Sequence, residues 1–123
     1  MAGDLNYAIE KFSLAVHRLA VGRDNIKIRL LAAFTEICPV AERDIPTALV
    51  DDHRWIMSEL TKRPAREIDY RDGKIIEGAE GRIGATLKSM RFSKAVEIAE
   101  RIVALSHELS VVPPAELTRA TAE

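Results

Sequence analysis

Residues 5–37 of the 123-residue chain read LNYAIEKFSLAVHRLAVGRDNIKIRLLAAFTEI, and this stretch decides the fold class. Its large apolar residues recur every three or four positions, which is the spacing of one face of an α-helix. At about 100° per residue they fall within one stripe about 100° wide. The members of this stripe are Leu5, Ile9, Phe12, Val16, Leu19, Ile26, Leu30, Phe34 and Ile37. The stretch therefore predicts helix and, for the chain, an all-α fold.

The sequence GRDN at residues 22–25 interrupts this stretch. Gly22 is suited to end a helix and Asp24 to cap the next one, and Arg23 would lie within the apolar stripe. The apolar spacing nevertheless continues across Gly22 without a slip, and a lone interior glycine costs only about 1 kcal/mol. We therefore expect one long N-terminal helix, with a kink near Gly22 or a break there as the alternatives.

An unbroken first helix has a consequence for assembly. It would span about 50 Å, nearly twice the length of the other expected helices. The surplus part of its apolar face would then need a second copy of the chain to cover it. The sequence therefore predicts a homodimer.

The second helix is expected from Asp44 to about Lys62. Asp44 is a good N-cap residue, and Pro46 is tolerated in the first turn because its missing N–H has no partner there in any helix. The helix must stop before Pro64, because the residue before a proline disfavours helical geometry. The inner face is expected to consist of Ile45, Leu49, Ile56 and Leu60.

The next segment changes character and then becomes helical again. Residues 64–78 show a rough apolar alternation around Asp72-Gly73, which predicts a loop, with a short β-hairpin as the alternative. Helical spacing resumes over residues 78–90.

The last helix is expected to begin at Ser93 as its N-cap. Its predicted inner face consists of Ala95, Ile98, Ala99, Ile102, Leu105 and Leu109. Residues 111–123 contain Pro113-Pro114, which cannot continue a helix, and are expected to form a flexible tail. Residues 1–110 are therefore predicted to be a single domain, a small bundle of three to four helices.

Composition narrows the class of protein. The net charge is −1 and the pI is about 6.3, so no overall field draws the chain to nucleic acid or to an anionic membrane. Cys38 is the single cysteine, which excludes an intrachain disulfide. The first residues do not read as a signal peptide, and no apolar run is long enough to cross a bilayer. We expect a soluble cytoplasmic protein without a cofactor.

Arg101 and His107 have the spacing of a catalytic motif. An arginine followed after five residues by a histidine resembles the motif of HEPN ribonucleases, small all-helical proteins that cleave RNA in a cleft between two subunits. That resemblance implies that Arg101 and His107 would be catalytic, with the histidine handling a proton. Twelve arginines, three histidines and three permitted spacings in a chain of this length predict about 0.9 such pairs by chance. The solvated flank of a helix is therefore the favoured interpretation, and enzyme activity is not expected.

The histidines also bear on metal binding. His17, His53 and His107 have no second ligand three or four residues away in the pattern that helical metal sites use. We therefore predict no metal site, and we expect His17 and His53 at the edge of the bundle or facing water.

Two surfaces remain as candidates for binding. Trp55 flanks the inner stripe of the second helix, where a large side chain either widens the core or forms part of an interface. A basic strip over residues 82–94 contains Arg82, Lys88, Arg91 and Lys94 and no acid. It could contact phosphate, although Glu97 and Glu100 beyond it would repel DNA.

Four phrases, LAVGRDNIKIRL, DIPTAL, EGRIGATLKSM and IAERIVAL, resemble a group of small all-helical bacterial proteins to which no activity is assigned. The resemblance covers roughly residues 10–109 and implies a bacterial or mobile-element origin and an all-helical fold, but no catalytic residue. We therefore expect a non-enzymatic protein-interaction module, such as an accessory subunit, adaptor or regulator. A HEPN-type ribonuclease and a nucleic-acid binder using the basic strip are the alternatives.

Overall fold

The computed structural model describes residues 3–63 and 78–111. Within these ranges the chain is all-α, as predicted, and contains five helices rather than three to four. The helices are α1 (Leu5–Val21), α2 (Ile26–Ile37), α3 (Val50–Leu60), α4 (Gly78–Ser89) and α5 (Phe92–Ser110). Two short 3-10 turns, Glu42–Asp44 and Thr47–Leu49, lie between α2 and α3.

The prediction of one continuous N-terminal helix is wrong, because α1 and α2 are separate helices that meet at Gly22. The cap of α2 is Asn25 rather than Asp24. The Asn25 side chain accepts hydrogen bonds from the backbone N–H groups of Lys27 at 2.9 Å and Ile28 at 3.3 Å. These bonds satisfy two of the donors that every helix leaves unpaired at its first turn.

Arg29 gives the physical reason for the break. Its Nη1 donates to the carbonyl of Leu19 at 2.9 Å, and its Nε donates to the carbonyl of Asp24 at 3.0 Å. The aliphatic part of the Arg29 side chain lies so close to Gly22 that a Cβ at Gly22 would collide with it. A side chain of α2 therefore caps the end of α1 and leaves no room for a side chain at Gly22 unless Arg29 moves.

The break lets α2 fold back against α1 as a helical hairpin, with an ion pair of 3.0 Å between Arg18 and Glu36. Leu30, Phe34 and Ile37 are consequently buried within the same chain. The surplus apolar face that the sequence assigned to a second copy is covered by this hairpin. The homodimer therefore no longer follows from the length of the first helix, and it stays a prediction.

The second predicted helix starts later than expected, at Val50 instead of Asp44. The Asp44 carboxylate does not cap α3. It accepts hydrogen bonds from the backbone N–H groups of Asp4 at 2.8 Å and Ala41 at 2.9 Å. The connector between α2 and α3 is thereby tied to the start of α1. The predicted inner face is otherwise confirmed, since Ile45, Ile56 and Leu60 are buried and Leu49 is half-buried.

The last two helices agree well with the sequence. Helix α4 covers nearly the predicted range, and all six residues of the predicted inner face of α5 are buried. Helix α5 begins at Phe92, with Arg91 in the N-cap position, rather than after Ser93. The predicted loop within residues 64–77 and the predicted tail from residue 112 lie outside the described residues. No described helix has the length and apolarity to cross a membrane.

Candidate functional site

Trp55 of α3 covers one flank of α5. The guanidinium carbon of Arg101 lies 4.7 Å from the centre of the Trp55 ring, and Nζ of Lys94 lies 5.4 Å from it. Lys94 and Arg101 are seven residues apart, so they project from one side of α5. A cation over an indole face is attracted by the negative charge density of the ring.

Acidic residues of α3 complete this contact. Asp52 lies 3.7 Å from Arg101, and Glu59 lies 3.3 Å from Lys94. Because the earlier acid pairs with the later base, α3 and α5 run antiparallel here. Hydrogen bonds to Glu97 and Glu59 raise the pKa of Lys94 above its ordinary value. We call this set the closed flank; it consists of Asp52, Trp55, Glu59, Lys94 and Arg101.

The structure therefore divides the predicted binding residues. Trp55 is half-buried and packs against the core, and its cationic neighbours belong to its own chain. Lys94 is neutralised by Glu59 and Glu97 at 3.3 and 3.2 Å. Two residues of the predicted surface, Trp55 and Lys94, therefore already have partners within the same chain.

The remaining basic residues of the strip are exposed. Arg82 and Lys88 lie on α4 six positions apart, which separates their side chains by about 120° around the helix. Arg91 precedes α5. Within residues 3–63 and 78–111, none of these three forms an ion pair. The strip is therefore not a single continuous face.

Arg101 and His107, the two HEPN-type candidates, have different surroundings. Arg101 contacts Trp55 and Asp52 on the closed flank. His107 is exposed in the last turn of α5, where its carbonyl accepts a hydrogen bond from Ser110 Oγ at 2.8 Å. No hydrogen bond or ion pair among the described residues joins the two side chains.

A second flank of α5 carries apolar side chains that the sequence analysis missed. Phe92 is 56% exposed, Val96 46% and Val103 45%. At 100° per residue the three lie within an arc of about 40°. We call Phe92, Val96 and Val103 the outer row. Their spacing of four and seven residues is visible in the sequence, but it is less conspicuous than the longer inner stripe.

A cation lies over the N-terminal end of the outer row, and two more are close to it in sequence. Nζ of Lys27, on α2, lies 4.8 Å from the centre of the Phe92 ring. Arg91 immediately precedes Phe92, and Lys88 lies at the end of α4. Like Lys88 and Arg91, Lys27 has no ion-pair partner in the described part of the chain. The row therefore combines exposed apolar area with unneutralised positive charge at one end.

His53 corrects another prediction. Instead of facing water it is only 4% exposed, and neither ring nitrogen has a hydrogen-bond partner among the described residues. Its ring packs edge-on against Phe12 of α1 at 6.2 Å. Burial lowers the pKa of His53, and the carboxylates of Glu42 and Asp44 partly oppose that shift. His17 is exposed, as predicted.

The described residues include no group of three or more His, Cys, Asp or Glu side chains that could hold a metal ion. No protein-family model matches the chain, and neither a curated protein nor a solved structure shows significant similarity to it. Any functional assignment must therefore come from the surfaces described above.

Proposed function

We propose that this protein is a non-enzymatic helical interaction module of the cytoplasm, an accessory subunit, adaptor or regulator, that binds a protein surface through the outer row of α5. The single observation that carries the proposal is the exposure of Phe92, Val96 and Val103 along one arc of one helix. Scattered exposed apolar residues are normal on proteins, but an aligned row is typical of helix–helix interfaces.

Chemistry favours a protein partner over nucleic acid. Valine side chains offer no hydrogen bond and no stacking surface to a base, whereas they pack readily against another apolar helix. Glu100 on the same helix is exposed, forms no ion pair among the described residues and would repel phosphate. The cations at the N-terminal end are therefore better matched to carboxylates on a partner protein.

Catalysis by Arg101 and His107 receives less support from the geometry. Arg101 is held by Trp55 and Asp52, and its guanidinium would have to leave both to reach a phosphate beside His107. The nuclease hypothesis keeps a direct test. If Arg101→Ala and His107→Ala both leave RNA cleavage or cellular toxicity at the wild-type level, it is wrong.

The proposed function is tested by affinity purification from the native host with three matched baits. These are the wild-type chain, Val103→Glu in the outer row, and Val21→Glu on α1. Val21 is a suitable control because it is an exposed valine, at 59%, on a different helix. We expect a protein that copurifies with wild type and with Val21→Glu, and is lost with Val103→Glu. Equal recovery with all three baits would contradict the proposal.

A further inference from the structure

The two flanks of α5 share one kind of contact, a cation over an aromatic ring. On the closed flank the ring is that of Trp55, and its two cations have carboxylate partners on α3. Those partners, Asp52 and Glu59, lie three residues before and four residues after Trp55, so the three side chains share one face of α3. The molecule itself therefore shows what covers such a contact: a helix that carries carboxylates beside an apolar side chain.

The outer row has the ring and the cation, but no carboxylate. Nζ of Lys27 lies 4.8 Å from the centre of the Phe92 ring. Lys27 forms no ion pair in the described part of the chain, and neither does Arg91, which immediately precedes Phe92. The Phe92 end of the row is therefore complementary to negative charge.

The charge changes sign toward the other end of the row. Glu100 is exposed and has no ion-pair partner among the residues that the structure describes. It lies three residues before Val103, so the two side chains are neighbours on the surface of α5. A carboxylate on a partner would be attracted at the Phe92 end and repelled at the Val103 end. The acids of a matching partner must therefore lie at one end of its apolar stripe.

The shape of the row suits another helix. Phe92, Val96 and Val103 project from one arc over a length of about 16 Å. A second helix buries such a row with side chains spaced three and four residues apart, at about 8–10 Å between the helix axes. An anionic lipid surface is a poorer match, because its headgroups would repel Glu100 beside the row.

We propose that the outer row binds an amphipathic helix of a partner protein, and that this helix carries carboxylates at the end of its apolar stripe that meets Phe92 and Lys27. This proposal rests on the proposed function, because it names the class of partner for the same surface. It gives Lys27 a specific role, which is to select an acidic helix over a neutral or basic one.

Designed peptides binding to the full chain test this charge preference. Three peptides of about 18 residues, long enough to form a helix, share one leucine stripe and differ only at one end of it, where they carry glutamate, glutamine or lysine. Fluorescence anisotropy measures their affinities. We expect the glutamate peptide to bind about threefold to tenfold more tightly than the glutamine peptide, and the lysine peptide to bind least. These differences should shrink at high salt.

Charge reversal in the protein supplies a matched pair of variants. Lys27→Glu should invert the order of the three peptides, whereas Arg43→Glu should leave it unchanged. Arg43 is a suitable control because it is an exposed cation without an ion pair in the described residues, and its 3-10 turn is tied to the start of α1. Circular dichroism should show that both variants keep their helices.

The outcomes separate this inference from the proposed function. Equal affinities for the three peptides, or no binding of any, would overturn the acidic helix. The proposed function would still stand if Val103→Glu lost a copurifying host protein. A host protein and a glutamate peptide that were both retained by Val103→Glu would contradict both proposals.

Other occupants of the row would give different results. Binding to phosphatidylserine vesicles that Lys27→Glu abolishes, without binding of the glutamate peptide, would replace the helix with a lipid surface. A dimer in light scattering that Val103→Glu dissociates would replace it with a second copy. Either result would overturn the acidic helix.

Discussion

The two flanks of α5 differ in whether their side chains have partners in the described part of the chain. On the closed flank, Lys94 and Arg101 cover Trp55 and pair with Glu59 and Asp52 of α3. On the outer row, Phe92, Val96 and Val103 remain about half exposed, and the cation over Phe92 has no acidic partner in the described residues. One helix therefore holds the bundle together on one side and offers an uncovered apolar surface on the other.

This difference shows that composition alone does not identify a binding surface. Trp55 and the basic residues have the chemistry of a typical interface hot spot, which is rich in tryptophan and arginine. In this fold Glu59 and Asp52 of α3 pair with Lys94 and Arg101. These two cations therefore have partners within the chain. The outer row has weaker chemistry but no covering element. We expect the two flanks to respond differently to mutation.

The largest effect is expected on the closed flank. Trp55→Ala should lower the free energy of unfolding by about 2–3 kcal/mol, because a large half-buried ring and its contacts with α5 are lost. Denaturant unfolding measures the change. Trp55→Phe is the control and should keep most of the stability. If Trp55→Ala abolished partner binding without destabilising the fold, the closed flank would instead be the interface.

The second effect is the pH dependence of the free energy of unfolding, to which His53 of α3 contributes. Because burial lowers the pKa of His53, the unfolded chain, with an ordinary pKa of about 6.5, binds the proton more readily than the folded chain. The free energy of unfolding should therefore be highest above that pH and fall as the pH drops toward the lowered pKa of the folded state.

Substitution of His53 isolates this contribution. His53→Leu should flatten the decline in stability on acidification, because the buried imidazole is gone. The exposed His17 gives the control, and His17→Gln should leave the decline unchanged. Unfolding curves recorded at several pH values measure both, and identical slopes for wild type and His53→Leu would refute the assignment.

A smaller effect is expected for the charges of the closed flank. Arg101→Gln removes the cation over Trp55 and the contact with Asp52, both at half-exposed positions. We expect a loss of less than about 1 kcal/mol, because solvent screens such pairs. Asp52→Asn in the Arg101→Gln background should add almost nothing. A large additional loss would show that the two side chains act independently.

The smallest effect on stability is expected in the outer row. Val103→Ala should change the free energy of unfolding of dilute protein by no more than about 0.5 kcal/mol, because its side chain is already half exposed. The adjacent Ile102 is fully buried, and Ile102→Ala should cost about 2–4 kcal/mol. Similar losses at the two positions would mean that the row is part of the core.

The sequence predicted the parts of the fold that depend on local periodicity. All six inner residues of α5 were identified because the 3.6-residue period fixes which side chains share a face. The break at Gly22 was missed because it depends on Arg29 of α2, whose side chain reaches back to Leu19 only once the hairpin has formed. The spacing of apolar residues along the sequence carries no information about such a tertiary contact.

The candidate site was harder to predict for the same reason. Whether a flank of α5 is covered depends on where α3 packs, and this is absent from the sequence pattern of α5 itself. The burial of His53 likewise follows from the packing of α3 on Phe12 of α1. A histidine beside acidic residues in sequence reads as exposed, and only the packed structure shows the opposite.

The most direct test of the outer row is the recovery of a partner protein from the native host. One protein should copurify with the wild-type chain and with the α1 control Val21→Glu, whose valine is exposed on a different helix. Val103→Glu should lose that protein while its circular dichroism stays helical. Equal recovery with all three chains would contradict the account.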